Sequence, residues 1–436
     1  MKRFLFPILI FAFVLPLSTA VAGENAHWPR FRGPNGSGLS HSGTAPTNFD
    51  TEKAWWSVEV PGAGHGSPIL YGDRIFLLSA VVDTEEAASA QKGKGKGKAK
   101  GKPATPYRWL ALCLNRETGE TIWSKEFDQG KFKGHKFNTA ASSTAAADES
   151  RVVFAWGTAE KLTVVSLTHE GEVQWESDLG PVVGGHGFGG SPMLHGDLVV
   201  LNNDQEKQNG NLLALHAETG EVAWEVERRS ERISYSVPCV YEVEGKELLV
   251  FTNWQHGFTA IDPADGSVVD DKSVFYLETN ERAISSPMVT KGLVIGTCGF
   301  TANPKHCVAM KMTDGKWEEV WRIERSVPHI PSVIAIEDHT YLIDDSGIAT
   351  CIETATGESL WMKRIPDVEG GVMGSPVSDG ENIFFADVSG NLHVLAASPE
   401  FTPLGMSRLG EECRTTPALA NGALYVRTEK TLWAFR

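Results

Sequence analysis

Thirteen histidines are spread through the chain, and three of them, His65, His186 and His329, stand shortly before a β-rich run. Imidazoles at such entry positions can hold a metal or hydrogen-bond a ligand if the fold brings them together. Their distances to the next Ser, at Ser67, Ser191 and Ser332, are unequal. A hydrogen-bonding role therefore fits better than a symmetric metal ring. Tyr235, Arg282 and Arg414 hold the corresponding places before other runs. With Lys+Arg 40 against Asp+Glu 55 the formal charge is −15, so the two arginines are cations on an acidic body and could draw an anionic group against the overall field. Pairing with Glu281 and Glu412, their nearest carboxylates in sequence, is the plain alternative.

Other chemical signatures are weaker. Gly185-His-Gly187-Phe-Gly189-Gly190 satisfies GxGxxG, yet a strand start follows it where a phosphate-binding loop needs a helix. The chain has no GxSxG, HExxH, P-loop or EF-hand sequence. The acidic balance excludes a general nucleic-acid binder, which needs a basic face. Six cysteines, Cys113, Cys239, Cys298, Cys307, Cys351 and Cys413, allow up to three bridges. Cys298 and Cys307 flank an expected hairpin and are the candidate disulfide. Cys113 and Cys351 fall where Ala214, Ala260 and Ala309 stand in parallel segments, so they read as packing thiols.

The elements that must position these residues come from an internal repeat. Gly119, Gly171, Gly220 and Gly357 are each followed by three or so residues and then Trp123, Trp175, Trp224 or Trp361, with Trp321 as a shifted copy after Gly315. An apolar run precedes each, giving a strand–turn–strand unit with Gly in the turn and Trp as a packing anchor between units. A second landmark, Ser-Pro or a relative of it, opens each unit at Ser67, Ser143, Ser191, Val237, Ser286, Ser332, Ser375 and Thr416. The five steps from Ser191 to Thr416 average 45 residues, the period of a β-propeller blade with four short strands. Eight starts predict an all-β, eight-bladed propeller of four-stranded antiparallel blades over residues 53–436.

The last unit reaches Arg436 after only three strands. Lys53-Ala54-Trp55-Trp56-Ser57-Val58-Glu59-Val60 carries Trp where a fourth strand needs it, so the N-terminal strand is expected to close the ring and remove an open sheet edge. Residues 1–22, with Lys2, Arg3, an apolar run and Ala20-x-Ala22, read as a secretory signal peptide, too short for a transmembrane anchor. Residues 23–52 form an N-terminal extension. The Lys/Gly-rich run 91–102 cannot fold alone and is expected as a solvated loop in the first blade. The chain is thus expected to be exported and soluble, in the periplasm or outside the cell.

In Ala214-Leu-His-Ala-Glu-Thr219-Gly220-Glu-Val-Ala-Trp224 and Ala260-Ile-Asp262-Pro-Ala-Asp-Gly266 the repeat resembles that of the quinoprotein-type, PQQ-like repeat β-propellers, Ala-x-Asp-x-x-Thr-Gly-x-x-x-Trp. The opening Trp28-Pro-Arg30-Phe-Arg32-Gly33-Pro-Asn35-Gly36-Ser-Gly38 looks like the N-terminal segment of an exported bacterial subset. The resemblance implies two functional frames. One is a dehydrogenase binding pyrroloquinoline quinone (PQQ) with Ca²⁺, whose alcohol-oxidising members carry a disulfide between adjacent cysteines; no two cysteines are adjacent here. The other is the BamB outer-membrane assembly scaffold, whose lipid-anchor Cys is missing. The expectation is a non-catalytic binding or scaffold module without cofactor or metal. Its expected partners are envelope proteins or peptides, with acidic glycans as a further class and no nucleic acid. His65, His186, Tyr235, Arg282, His329 and Arg414 are its candidate binding residues at a channel mouth, and a PQQ-dependent oxidoreductase is the alternative.

Overall fold

The short turns Tyr71-Gly72-Asp73 and His195-Gly196-Asp197 reverse the chain between a three-residue strand and a longer one of nine or seven residues. Their repetition yields stacked small sheets rather than one large one. The structure, a computed structural model, describes residues 27–84, 104–275, 282–300 and 304–436; the expected signal peptide and the Lys/Gly-rich run lie outside them. The described residues form eight four-stranded antiparallel sheets, the blades of a propeller. Blades 1 to 7 follow the chain in order, from Ile69–Tyr71 to Pro403–Arg408. Blade 8 combines Ala418–Ala420, Ala423–Arg427 and Thr431–Phe435 with the N-terminal strand Trp56–Glu59. Trp56 pairs with Ala434 and Glu59 with Thr431, so the ring closes as the repeat predicts.

The core lies between blades. The middle strands, such as Val152–Gly157 and Leu162–Leu167, are buried along their whole length, whereas the outer strand Val173–Asp178 is mostly exposed. Each pair of neighbouring blades encloses its own apolar layer, for example Val153, Leu162 and Val164 against Val199, Leu213 and Leu215. The tryptophans join blade to blade. The Trp175 indole donates to Ala217 O at 2.8 Å and covers Gly220 of the next blade, where a Cβ would come within 2.4 Å of the ring. Gly220 also sits at φ +74, so turn geometry and indole packing both select glycine there. Trp123, Trp224 and Trp321 do the same over Gly171, Gly266 and Gly357, and Trp56 does it over Gly119.

The partner across the strand pair is small: Cys113 faces Trp123, Ala214 faces Trp224, Ala309 faces Trp321, Cys351 faces Trp361 and Ala434 faces Trp56. Trp321 is late in sequence only because its hairpin is longer, pairing out to Thr313 and Lys316. Trp361 meets Phe401 edge-on at 5.1 Å where the next blade has no glycine turn.

The Ser-Pro landmarks lie side by side around the axis. Ser67 N donates to Thr144 Oγ1 and Thr144 N to Ser191 Oγ, each at 2.9 Å. Val237 N, Ser286 N, Ser332 N and Ser375 N donate in turn to the hydroxyls of Ser286, Ser332, Ser375 and Thr416. Thr416 N returns to Ser67 Oγ at 3.0 Å. In blade 2 the working hydroxyl is Thr144, one place beyond the predicted Ser143. The circuit breaks once, because Val237 has no hydroxyl for Ser191 N. Val237→Thr, nearly isosteric, should close it and raise stability by about 0.5–1.5 kcal/mol, the net value of a hydrogen bond, read as a higher urea midpoint at unchanged m. A lowered midpoint would mean the new hydroxyl is buried without its bond.

One disulfide expectation is corrected. Cys298 pairs with His306 and Cys307 with Thr297, so the two cysteines occupy successive register positions and point to opposite faces of their sheet. Cys298 lies in the layer toward blade 4 and Cys307 in the layer toward blade 6. The 298–307 bridge is not formed.

Candidate functional site

Antiparallel order sorts the connections by face. Hairpins between the first and second and between the third and fourth strands lie on one face, the turn face. Blade-to-blade entries and second-to-third connections lie on the other, the loop face. The segment from His27 to Ala45 crosses the axis at the turn face. Trp28, fully buried, bridges to Leu70 in blade 1, Pro29 O accepts from Ala147 N in blade 2, and Asn35 exchanges two bonds with Val240 in blade 4. Leu39 bridges to Ser378 in blade 7, and Ser42 Oγ accepts from Asn421 N in blade 8.

The six candidate residues lie on blade-entry loops of the loop face, in three groups. In the first, Arg282 Nη2 donates to His186 Nδ1 at 3.0 Å and to Glu206 Oε1 at 2.8 Å, and Tyr235 Oη donates to Gly187 O at 3.0 Å. A guanidinium only donates, so His186 accepts at Nδ1 and carries its proton on Nε2. Burial, then the Arg282 charge, holds the His186 imidazolium down to about 4, so the ring is neutral at ordinary pH. Burial works against ionisation of Glu206, yet its bonds from Arg282 and Gly185 N outweigh this and keep the carboxyl below the usual range. Burial pushes the Tyr235 phenol up. The carboxylate partner of Arg282 is thus Glu206, 76 residues away, whereas the expected Glu281 lies outside the described residues.

The second group is His65 with Arg414. Burial, followed by the charges of Arg414 and Arg427, holds His65 down to about 4. Arg414 pairs with Glu412 at 3.0 Å, as its sequence neighbourhood suggests, and its guanidinium carbon lies 5.9 Å from the centre of the Phe137 ring. His329 stands apart in a third group. Its N–H donates to Asp345 Oδ2 at 2.9 Å beside Lys305, and its ring meets Phe300 edge-on at 5.1 Å.

Sequence reasoning passed over the loop that joins the first two groups. His135 stacks on His186 with ring centres 4.5 Å apart and meets Phe137 edge-on at 5.0 Å, while Asn138 Nδ2 donates to His186 O and Phe188 O. The run Lys133-Gly-His-Lys-Phe-Asn138 offered one signal, two cations and an aromatic ring between strands, where a plain connection needs none. A second concavity, about 460 Å³, lies between blades 1 and 2; its rings Trp109, Phe127 and Trp156 are buried, and Lys161 at its edge is paired with Glu176.

Among the described residues no three His, Cys, Asp or Glu side chains gather as a metal site, and the six cysteines are buried and non-adjacent. No helix among the described residues is long and apolar enough to cross a membrane.

Among solved structures, BamB from Moraxella catarrhalis aligns with a TM-score of 0.60 at 13% identity, over 88% of this chain and 97% of that one. A europium-containing methanol dehydrogenase aligns at 0.51 and 12%, over 94% and 98%, and the computationally designed Ika8 protein at 0.51 and 10%, over 77% and 94%. At these identities the likeness is one of fold. No curated protein sequence matches the chain. The family model described as outer membrane protein assembly factor BamB matches residues 110–363, more than half of the chain, and the chain belongs to that family.

Proposed function

We propose that the protein is an exported, non-catalytic scaffold of the cell envelope that captures extended polypeptide segments at the loop-face mouth. The observation that carries this reading is where large apolar side chains are exposed. Ile122, Val173, Val222, Val268, Val320, Leu360 and Leu404 are aliphatic and lie on the outermost strands of blades 1 to 7, a consequence of the repeat. Phe137 and Phe300, 46% and 43% exposed, belong instead to the loop face, beside Lys136, Arg414 and His329. An exposed ring flanked by Lys136 and Arg414, with a second exposed ring on the same face, on a chain of formal charge −15, favours a partner that offers apolar side chains together with carboxylates. The family's description and the fold likeness to BamB support a partner among envelope proteins.

The test places a photo-crosslinking residue at Phe137, and separately at Leu360 on the rim, in the native host. The mouth position should trap one or a few partners, and Arg282→Ala with Arg414→Ala should reduce that capture at least tenfold while the protein stays folded. Partners trapped only from the rim position, or undiminished capture by the double variant, would overturn the reading.

A further inference from the structure

The loop-face end of the apolar layer between blades 1 and 2 is built from side chains that the repeat does not ask for. Trp156 stands three places beyond Val153, the second-strand residue that pairs with Ala146 of the first strand. At the same place the other blades carry Ser79, Asn203, Asn253, Cys298, Asp344, Asp387 and Thr428, all small or polar. Trp109 stands four places before Cys113, which faces Trp123, where blades 3, 6 and 7 have Gly210, Gly347 and Gly390. The two indoles stack across the blade junction with ring centres 5.8 Å apart and 17° between their planes, and Phe127 meets Trp156 at 5.1 Å. Other junctions close without an indole at either place, so the repeat does not account for the pair.

These rings form the floor of the concavity of about 460 Å³ between the two blades, a volume within the range of roughly 300–1,000 Å³ that holds small ligands. Most of each ring is covered by its neighbour, so Trp156 and Phe127 keep only 5% and 9% of their surface. The rim has no net sign. Lys131 and Lys161 stand there with Glu160 and Glu176, and Lys161 pairs with Glu176 at 2.7 Å. An ion of either sign meets both attraction and repulsion at such a rim. A neutral molecule rich in hydroxyl groups finds acceptors in the carboxylates and donors in the ammonium groups. A face of C–H groups completes its contact with the floor. Hydroxyls around the edge and C–H groups on the face are the chemistry of a pyranose ring.

We infer that the cleft between blades 1 and 2 binds a neutral saccharide unit, its C–H face toward Trp156 and Phe127 and its hydroxyls toward Glu160, Glu176 and Lys161. The open part of the floor is small, so one unit binds weakly, with a Kd of roughly 0.1–10 mM. Weak single contacts suit a polymer that presents many like units. None of the lining residues belongs to the loop-face mouth, and the site stands or falls independently of the proposed scaffold role.

The experiment records saturation-transfer NMR on the full protein with maltotriose, cellotriose and chitotriose as neutral probes, trigalacturonate as an acidic one and N-acetylphenylalaninamide as an aromatic one. At least one neutral trisaccharide should show saturable transfer, strongest at its ring C–H protons. Trp156→Asn gives blade 2 the residue that blades 3 and 4 carry at this place, and it should weaken that binding by about tenfold or more. Should that variant fail to fold, Glu160→Ala with Glu176→Ala, both exposed in the parent protein, carries the test with a loss in the same direction. Silence from all three neutral sugars, a preference for trigalacturonate, binding of the phenylalanine derivative alone, or undiminished sugar binding by the folded variants would each overturn the assignment.

Discussion

A chain beginning at Pro61 is expected to melt far below the full-length protein and to self-associate. Its last blade would keep Thr431–Phe435 as an unpaired edge, because the four partners from Trp56 to Glu59 are gone. Such an edge offers a row of free backbone groups to any other chain. The same cut removes the Trp56 indole from Gly119 and its bond to Arg116 O, and takes away Trp28 and Phe49, both almost fully buried. Each lost aromatic anchor costs about 3–5 kcal/mol where the surroundings cannot collapse, so the sum rivals the whole stability of an ordinary domain. Calorimetry and light scattering would show it. Deleting only residues 27–45 separates the two contributions, since that chain keeps the closing strand and should stay monomeric while losing the Trp28 packing. A Pro61 chain that stays monomeric and melts like the full-length protein would contradict closure by the N-terminal strand.

The second large effect is expected at a blade junction. Trp175→Ala should cost about 3–5 kcal/mol, from the lost indole packing and its bond to Ala217 O. Gly220→Ala should be comparably harmful for three reasons: φ is +74, and the new methyl would meet the Trp175 ring at 2.4 Å and Ser177 Oγ at 2.6 Å. Only the clash with the ring vanishes when the indole is absent. In the Trp175→Ala background Gly220→Ala should therefore cost clearly less than in the parent protein, leaving the left-handed backbone penalty of about 1 kcal/mol and the cost of turning the Ser177 hydroxyl aside. Urea titrations of the four proteins give the coupling directly. Strict additivity would show that Gly220 is required for its turn and its approach to Ser177 alone and that the Gly–Trp spacing has no role between blades.

Much of this architecture was legible because it repeats. The spacing of Ser67, Ser191, Ser286, Ser332, Ser375 and Thr416 marks the first strands, and their hydroxyls prove to belong to a circuit of bonds around the axis that is open only between Ser191 and Val237. A period of 45 can be read without knowing any long-range contact, since each blade obeys the same local rules of turn, alternation and small-opposite-Trp. Even closure could be read, because a missing fourth strand at one end and a spare Trp-bearing strand at the other are both visible in one dimension. The Cys298–Cys307 expectation failed for a reason of the same kind: a single place of register decides which face a side chain takes, and flanking positions alone do not determine that register.

The sequence by itself therefore determined the blade, its number and its seam, because those follow from short-range patterns that recur. Only the tertiary structure decided which non-repeating residues meet. Arg282 finds Glu206 and His186 across blades, His135 leans onto His186, and His329 stands with Asp345 and Phe300 away from both. Arg30 and Arg32 reach carbonyls more than 200 residues away, in blades 4 and 6. Ring closure brings those positions within a few ångströms, and since each pairing occurs once, no periodicity records it; the loop-face cluster and the buried arginines become visible only when the ring is formed.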